Sequence, residues 1–290
     1  MSVTVSSKLV ELDNLIPRVV DRECEVFEHS DIVDEERLVS GPEEDCKFHQ
    51  FLYNLFSYRY ELQESAIDTT EISNIFVPSQ AITLPTKSWR ISGREPSKYL
   101  IRDQCIISSL LMGAICCNLN NVKEQHLKIG FTTRGRELRY TIGGKRYAAR
   151  PEGAAVVGPR AEYLPIISFT GWFPGQTWSE LLIETFSAML GQLTKNLSIL
   201  DTGFQDQEVF ILGFHGPYIH IARGFFTKDL ISRVYAQGHF DQEPINLQFT
   251  RSYDLFLKED WLEATRVLTR LIRYLLSGTA RVGAVQKYSK

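Results

Sequence analysis

Two short segments and the helix behind them constrain the fold of this chain more than any other feature. Tyr147-Ala-Ala-Arg-Pro-Glu-Gly-Ala-Ala-Val-Val157 reads as a strand with one acidic residue set beside a Pro and a Gly. Leu164-Pro-Ile-Ile-Ser-Phe-Thr170 reads as a neighbouring strand that is almost wholly apolar. A helix follows at once, from Trp178 to Asn196, with Glu180, Glu184 and Gln192 inside it. Strand with acid, apolar strand, then helix implies a mixed α/β fold built around a sheet.

The flanking segments extend that pattern. Phe48 to Tyr58 has the spacing of a short amphipathic helix with an aromatic face, and aromatic stripes of this kind usually belong to a core. Pro78, Pro85, Gly93 and Pro96 mark an irregular connection over 73–98. Lys98 to Leu119 repeats apolar residues at helical spacing (Leu100, Ile101, Ile107, Leu111, Ile115) and stops at Asn118-Leu-Asn-Asn121. Leu127 to Thr132 alternates weakly as a strand. Glu137 to Ile142 and Arg146 to Ala149 flank Gly143-Gly144, a two-residue turn signal, because glycine reaches positive φ without cost. Val209 to Phe214 and Tyr218 to Ala222 flank His215-Gly-Pro217 as a second hairpin. Glu259 to Ser277 is an amphipathic helix ended by Gly278. The expected division is an acidic N-terminal segment with one short helix over 1–95, partly disordered, an α/β core over 96–250, and a C-terminal helix packed on it over 251–290.

Composition narrows the function classes. A formal net charge of −3 over 290 residues argues against a generally basic nucleic-acid coat, while leaving room for a local basic face. Residues 21–45 carry eleven acids against Arg22 and Arg37, the pattern of a solvated, partly disordered face, or of a tail that docks on a basic surface. Cys24, Cys46, Cys105 and the adjacent Cys116-Cys117 are odd in number and lack zinc-ligand spacing, so free thiols are expected rather than a disulfide framework. No charged start followed by an apolar run opens the chain, and the apolar run Ile106–Cys117 is short for a bilayer span. An intracellular protein, cytoplasmic or nuclear and without a membrane partner, is the expectation. Phosphate loops, dinucleotide fingerprints, nucleophile elbows and His-Glu-x-x-His are missing from the sequence.

The order helix, hairpin with an acid, strand, helix, strand over roughly 98–238, together with Arg150-Pro-Glu-Gly153, resembles the PD-(D/E)XK phosphodiesterase superfamily. The C-terminal half is also similar to fungal proteins that carry such a core. The resemblance implies a restriction-endonuclease-like core with helical flanks and a site where carboxylates on adjacent strands hold Mg²⁺ against a phosphate, with a lysine nearby. By that resemblance Glu152 stands at the first acid and metal-ligand position, Ser168 at the second acid, and Thr170 at the lysine. Neither hydroxyl supplies the lost charge, so the implied site is degenerate. Glu180 and Glu184, one turn apart, and Gln192 two turns further on offer a relocated site, against the plainer reading of Glu180 and Glu184 as solvent-facing helix residues, and Glu152 is equally explained as a turn or strand-edge acid.

Lys128, Arg134, Arg136, Arg139, Lys145, Arg146 and Arg150 gather around the first hairpin, either to meet phosphates or to keep an exposed hairpin soluble. His215 and His220 are expected on opposite faces of the second hairpin, with His215 bonded locally in the turn. Gly171-Trp-Phe-Pro-Gly175 caps a pocket or packs on the core. Three functions follow: a non-catalytic nuclease-fold module that binds a protein or nucleic-acid partner and needs no cofactor; an active Mg²⁺-dependent nuclease with displaced ligands; or an unrelated accessory factor of a biosynthetic or regulatory pathway. The sequence sets neither the partner nor the oligomeric state.

Overall fold

The computed structural model describes residues 2–19, 44–64, 79–84, 98–119, 128–159, 162–200, 203–238 and 244–288. The acidic run over 21–45 and the connection over 73–98 fall largely outside them. The described elements run β1 (Ser2–Leu9), α1 (Leu12–Leu15), α2 (Glu44–Glu64), β2 (Ser79–Thr83), α3 (Lys98–Asn118), β3 (Gly130–Thr132), β4 (Leu138–Ile142), β5 (Lys145–Ala149), β6 (Gly153–Val157), β7 (Leu164–Thr170), α4 (Trp178–Leu197), β8 (Gln207–His215), β9 (Tyr218–Phe226), α5 (Lys228–Gln237), β10 (Ile245–Phe249), β11 (Tyr253–Asp254), α6 (Lys258–Leu276) and α7 (Gly283–Tyr288).

The fold is mixed α/β around one sheet of order β2-β1-β10-β9-β8-β7-β6-β3, with β11 on β9. β3, β6 and β7 run antiparallel in turn, and β7 pairs parallel with β8, which α4 makes possible by carrying the chain back. β1 pairs parallel with β10 and antiparallel with β2, so the first 95 residues supply two strands of the main sheet as well as a 21-residue helix. That differs from the acidic segment with one short helix expected there. Ser2–Leu9 alternates small polar and apolar residues, a weak strand pattern, although β1 lies inside the sheet between β2 and β10.

Each face of the sheet buries its own core. Phe210, Leu212 and Phe214 pack with α2, α3 and α6 on one side. Val209 and Ile211 pack with α4, the hairpin β4–β5 and Ile231 of α5 on the other. Alternation along β8 therefore feeds two layers, although both faces are apolar. By length and composition α3 is the one described helix able to cross a membrane; here Ile101, Ile107, Leu111 and Ile115 are buried in the core.

The segment 147–157 is not one strand. It breaks at Arg150-Pro151-Glu152, and its halves enter different sheets: β5 pairs only β4, whereas β6 joins the main sheet. Proline has no N–H to donate, so the ladder cannot run through Pro151. The first hairpin turn is as expected, and the second is tighter, with His215 still in β8. Gly143 (φ 51°) and Gly144 (φ 74°) both take positive φ in the first, and Gly216 (φ 54°) opens the second before Pro217. The hairpin β4–β5 rests on α4, where a Cβ at Gly191 would stand 2.7 Å from Leu138 Cβ.

A buried carboxylate ties the C-terminal helices to the sheet. Glu208 of β8 is 3% exposed. It accepts from the Arg223 guanidinium (2.5 Å), the Tyr274 hydroxyl (2.7 Å) and the Arg281 backbone N–H (2.9 Å), and its own N–H donates to Arg281 O. Removing it leaves Arg223 largely buried without its counter-charge. Glu208→Ala is expected to cost about 3–5 kcal/mol in urea unfolding, whereas Arg139→Ala, which breaks the exposed pair with Glu137 (2.6 Å), costs at most about 1 kcal/mol. Equal losses in the two variants contradict this division.

Candidate functional site

Glu152 lies in the bend that precedes β6. Its N–H donates to Phe169 O (2.9 Å), the carbonyl of the residue that pairs with Gly153, so the bend is tied to β7 just before the ladder begins. The side chain nevertheless turns toward α3: its Cγ stands 3.5 Å from where Gly171 would place a Cβ, a point that Ile101 Cγ2 and Gln104 Oε1 of α3 also crowd. Ser168, in contrast, faces α4 and donates to Gln192 Oε1 at 2.7 Å. Thr170, on the same strand face as Ser168, has its hydroxyl buried without a hydrogen-bond partner. Glu152, in the bend before β6, and Ser168, on β7, thus point to opposite faces of the sheet, because the chain kinks at Pro151-Glu152.

Gln192 has a structural task. The β6–β7 register passes from Ala155↔Ile167 to Val156↔Pro165 and skips Ile166, a bulge in β7. Gln192 Nε2 donates to the Ile166 carbonyl (3.0 Å), and Asn196 Nδ2 donates to the Pro165 carbonyl (2.8 Å). Glu180 closes a capping box with Thr177 at the start of α4, and Glu184 accepts from Gln176 Nε2 (3.1 Å). None of Glu180, Glu184 and Gln192 lines the cleft that holds Glu152.

That cleft, about 890 Å³, opens between the first turns of α3, the β3–β4 loop and the β5–β6 loop. Lys98, Arg102, Arg134, Arg136 and Arg150 line it, all exposed, with Glu152 as the single carboxylate among the lining residues. Backbone contact builds it. A Cβ at Gly135 would collide with the Pro151 carbonyl, and one at Gly153 would collide with Thr132 O and stand 2.5 Å from Cys105 Sγ. The two loops therefore meet only because these positions carry no side chain. The Arg136 guanidinium is steadied 5.0 Å above the ring of Tyr163, itself a left-handed residue (φ 48°) at the entry to β7. Burial pushes the Cys105 thiol up to about 12, which keeps it protonated and unreactive.

Of the basic residues read from the sequence, Arg134, Arg136 and Arg150 reach the cleft. Arg139, Lys145 and Arg146 are exposed on the hairpin β4–β5 and do not line it. Lys98 and Arg102 complete it from α3. They were legible as two cations four residues apart on one helical face, but only the fold sets that face against the loops.

The aromatic loop packs. Trp172 and Phe173 are buried, and Gln104 both accepts from Trp172 N–H (2.8 Å) and donates to Trp172 O (2.9 Å) and the Tyr58 hydroxyl (2.9 Å). His215 and His220 share one face, contrary to expectation. His220 pairs with Gly213, His215 lies two residues along β8, and the rings are 5.2 Å apart. The tight turn falls at Gly216-Pro217, so His215 is the last residue of β8 and is not in the turn. His220 fills the space over Gly213, and Nδ1 of both rings has no hydrogen-bond partner. Among the described residues no group of three or more His, Cys, Asp or Glu side chains converges to hold a metal ion. The chain matches no protein-family model and no curated sequence.

Burial holds His220 down to about 4, and burial with the neighbouring His220 holds His215 well below its ordinary value. The unfolded chain takes up these protons first, so stability falls as pH drops from about 6.5 toward 4, by up to about 3 kcal/mol for His220. Melting temperatures of the wild type are expected to fall more steeply across this window than those of a His215→Gln, His220→Phe double variant. Parallel pH profiles contradict the assignment.

Proposed function

We propose that this chain is a nuclease-fold protein that no longer hydrolyses phosphodiesters and binds an anionic partner, a nucleic-acid backbone, in the cleft between α3 and the two loops. The observation that carries this reading is the charge of the lining: five exposed cations face one carboxylate. Mg²⁺ takes several oxygen ligands in strict geometry, and five nearby positive charges repel it. Glu152, the residue the resemblance places as first metal ligand, is therefore a poor fit for that ion here. Phosphate oxygens need the opposite, clustered donors of positive charge, and arginine forks match them in pairs.

Strand order supports the family side of this reading. β3, β6, β7 and β8 lie side by side with α3 before them and α4 crossing from β7 to β8, the order that a PD-(D/E)XK core implies. Support for lost hydrolysis comes from the positions where that core carries its second acid and its lysine. Ser168 is bonded to Gln192 on the far face, and Thr170 is buried there too.

Fluorescence anisotropy with labelled single-stranded DNA and RNA tests this. Affinity is expected to fall with salt on a log–log slope no steeper than about −3.5, the limit for five phosphates on a single strand. Combining Arg102→Glu with Arg134→Glu should flatten the slope by about 0.7 for each cation lost and weaken binding to both nucleic acids. Binding indifferent to these reversals overturns the cleft as the site. Mg²⁺-dependent cleavage that Glu152→Ala abolishes overturns the loss of hydrolysis.

A further inference from the structure

We propose a second site, unrelated to the basic cleft: a pocket beneath α5 that takes an uncharged, mostly hydrocarbon small molecule. It lies on the opposite face of the sheet, where the hairpin β4–β5 stands apart from the main sheet and leans on α4. The hairpin tip is held to α5 by the Gly143 N–H donating to Val234 O (3.3 Å). Between hairpin, α4, β9 and α5 the side chains leave a space of about 340 Å³.

The walls define the ligand. Leu193 and Leu197 of α4, Ile142 of the hairpin, Phe226 of β9 and Val234 of α5 supply a hydrocarbon lining, and no charged side chain is among the residues that line it. An ionised head group would lose its hydration there without a counter-charge, so the occupant is neutral. The polar side-chain groups on the wall are hydroxyls, including Thr194 and Ser198, which suit a single hydroxyl or carbonyl on the ligand. Size follows by proportion: an apolar cavity of about 150 Å³ holds benzene, so this one suits about fourteen non-hydrogen atoms.

The helix above the pocket gives an independent sign that something is meant to fill it. α5 is fixed at both ends, by the Thr227 hydroxyl accepting from Leu230 N–H and by Gly238 in the left-handed conformation. Its apolar side is covered only in part: Ile231 is buried in the core of this face, and its neighbours are less so. Leu230 and Val234 are only half-buried, and Tyr235 is exposed, its ring resting on Phe204 at the rim. A well-capped helix whose apolar stripe is only partly covered gains burial when a ligand enters.

The test is titration of the full chain with N-phenylnaphthylamine, a neutral fluorophore that brightens in apolar surroundings. Saturable one-to-one enhancement is expected for the wild type. Val234→Trp and Thr194→Phe fill the pocket from different helices, and each is expected to weaken binding about tenfold or more, the loss of roughly one good apolar contact set, while the cooperative melt is kept. Tyr53, Phe56 and Tyr60 form an exposed aromatic stripe on α2 that such a dye could also visit. Binding retained in both folded, filled variants places the dye there and overturns the proposal, as does a wild type without saturable enhancement. Neither result bears on the basic cleft, whose own test is the salt-dependent binding of nucleic acid.

Discussion

Five like charges gather around one cleft because close backbone contact sets the two loops that carry three of them beside α3. Gly135 meets the Pro151 carbonyl, and Gly153 meets Thr132 and Cys105, too closely for a side chain at either position. Those contacts lock the β3–β4 and β5–β6 loops against each other and against α3. Arg134, Arg136 and Arg150 are carried on the loops and face Lys98 and Arg102 on the helix. Mutual repulsion of this kind lowers stability unless an anion relieves it. The placement is also costly to undo, since one Cβ at either glycine would have to move backbone.

Polar side chains that look catalytic in the sequence are committed to holding the scaffold. Gln192 serves the bulge at Ile166 and the Ser168 hydroxyl; Glu180 closes the α4 cap; Gln104 and Gln176 pin the 171–177 loop. Glu208 joins β8 to Arg223, Tyr274 and Arg281 across the C-terminal helices. Buried amides and carboxylates of this sort must be satisfied wherever they stand, and that need explains them without chemistry on a substrate. The two histidines depart from this: both rings keep Nδ1 without a partner, as the Thr170 hydroxyl also does, and their charged forms are disfavoured by burial.

Local signals in the chain were read well. The Gly143-Gly144 and Gly216-Pro217 turns, the three long helices from Lys98, Trp178 and Lys258, and the strand at Leu164–Thr170 follow from turn chemistry and apolar periodicity. Three things were not legible, each for a physical reason. β1 joins a sheet through β10, some two hundred and forty residues later, and nothing local encodes a pairing of that span. The segment 147–157 looks continuous in composition, yet Pro151 cannot donate to a ladder and splits it between two sheets. The faces of Glu152, Ser168 and the two histidines depend on a kink and on strand register, which a sequence pattern of period two cannot supply once a bend or a bulge intervenes. Three of the five cleft cations, Arg134, Arg136 and Arg150, stand in the basic cluster that the sequence shows, whereas Lys98 and Arg102 do not: charge is visible in a sequence, and the direction in which it points is not.

The central claim is that this cleft attracts anions and not metal cations. Thermal unfolding of the full chain, at constant ionic strength, with inorganic tripolyphosphate or with Mg²⁺ alone tests it most directly, because a ligand that binds only the folded state raises Tm. The account predicts that tripolyphosphate raises Tm in the wild type and fails to do so when Arg102 and Arg134 are reversed to Glu, while Mg²⁺ alone leaves Tm unchanged. A rise with Mg²⁺ that disappears in Glu152→Gln, with no response to tripolyphosphate, would contradict it.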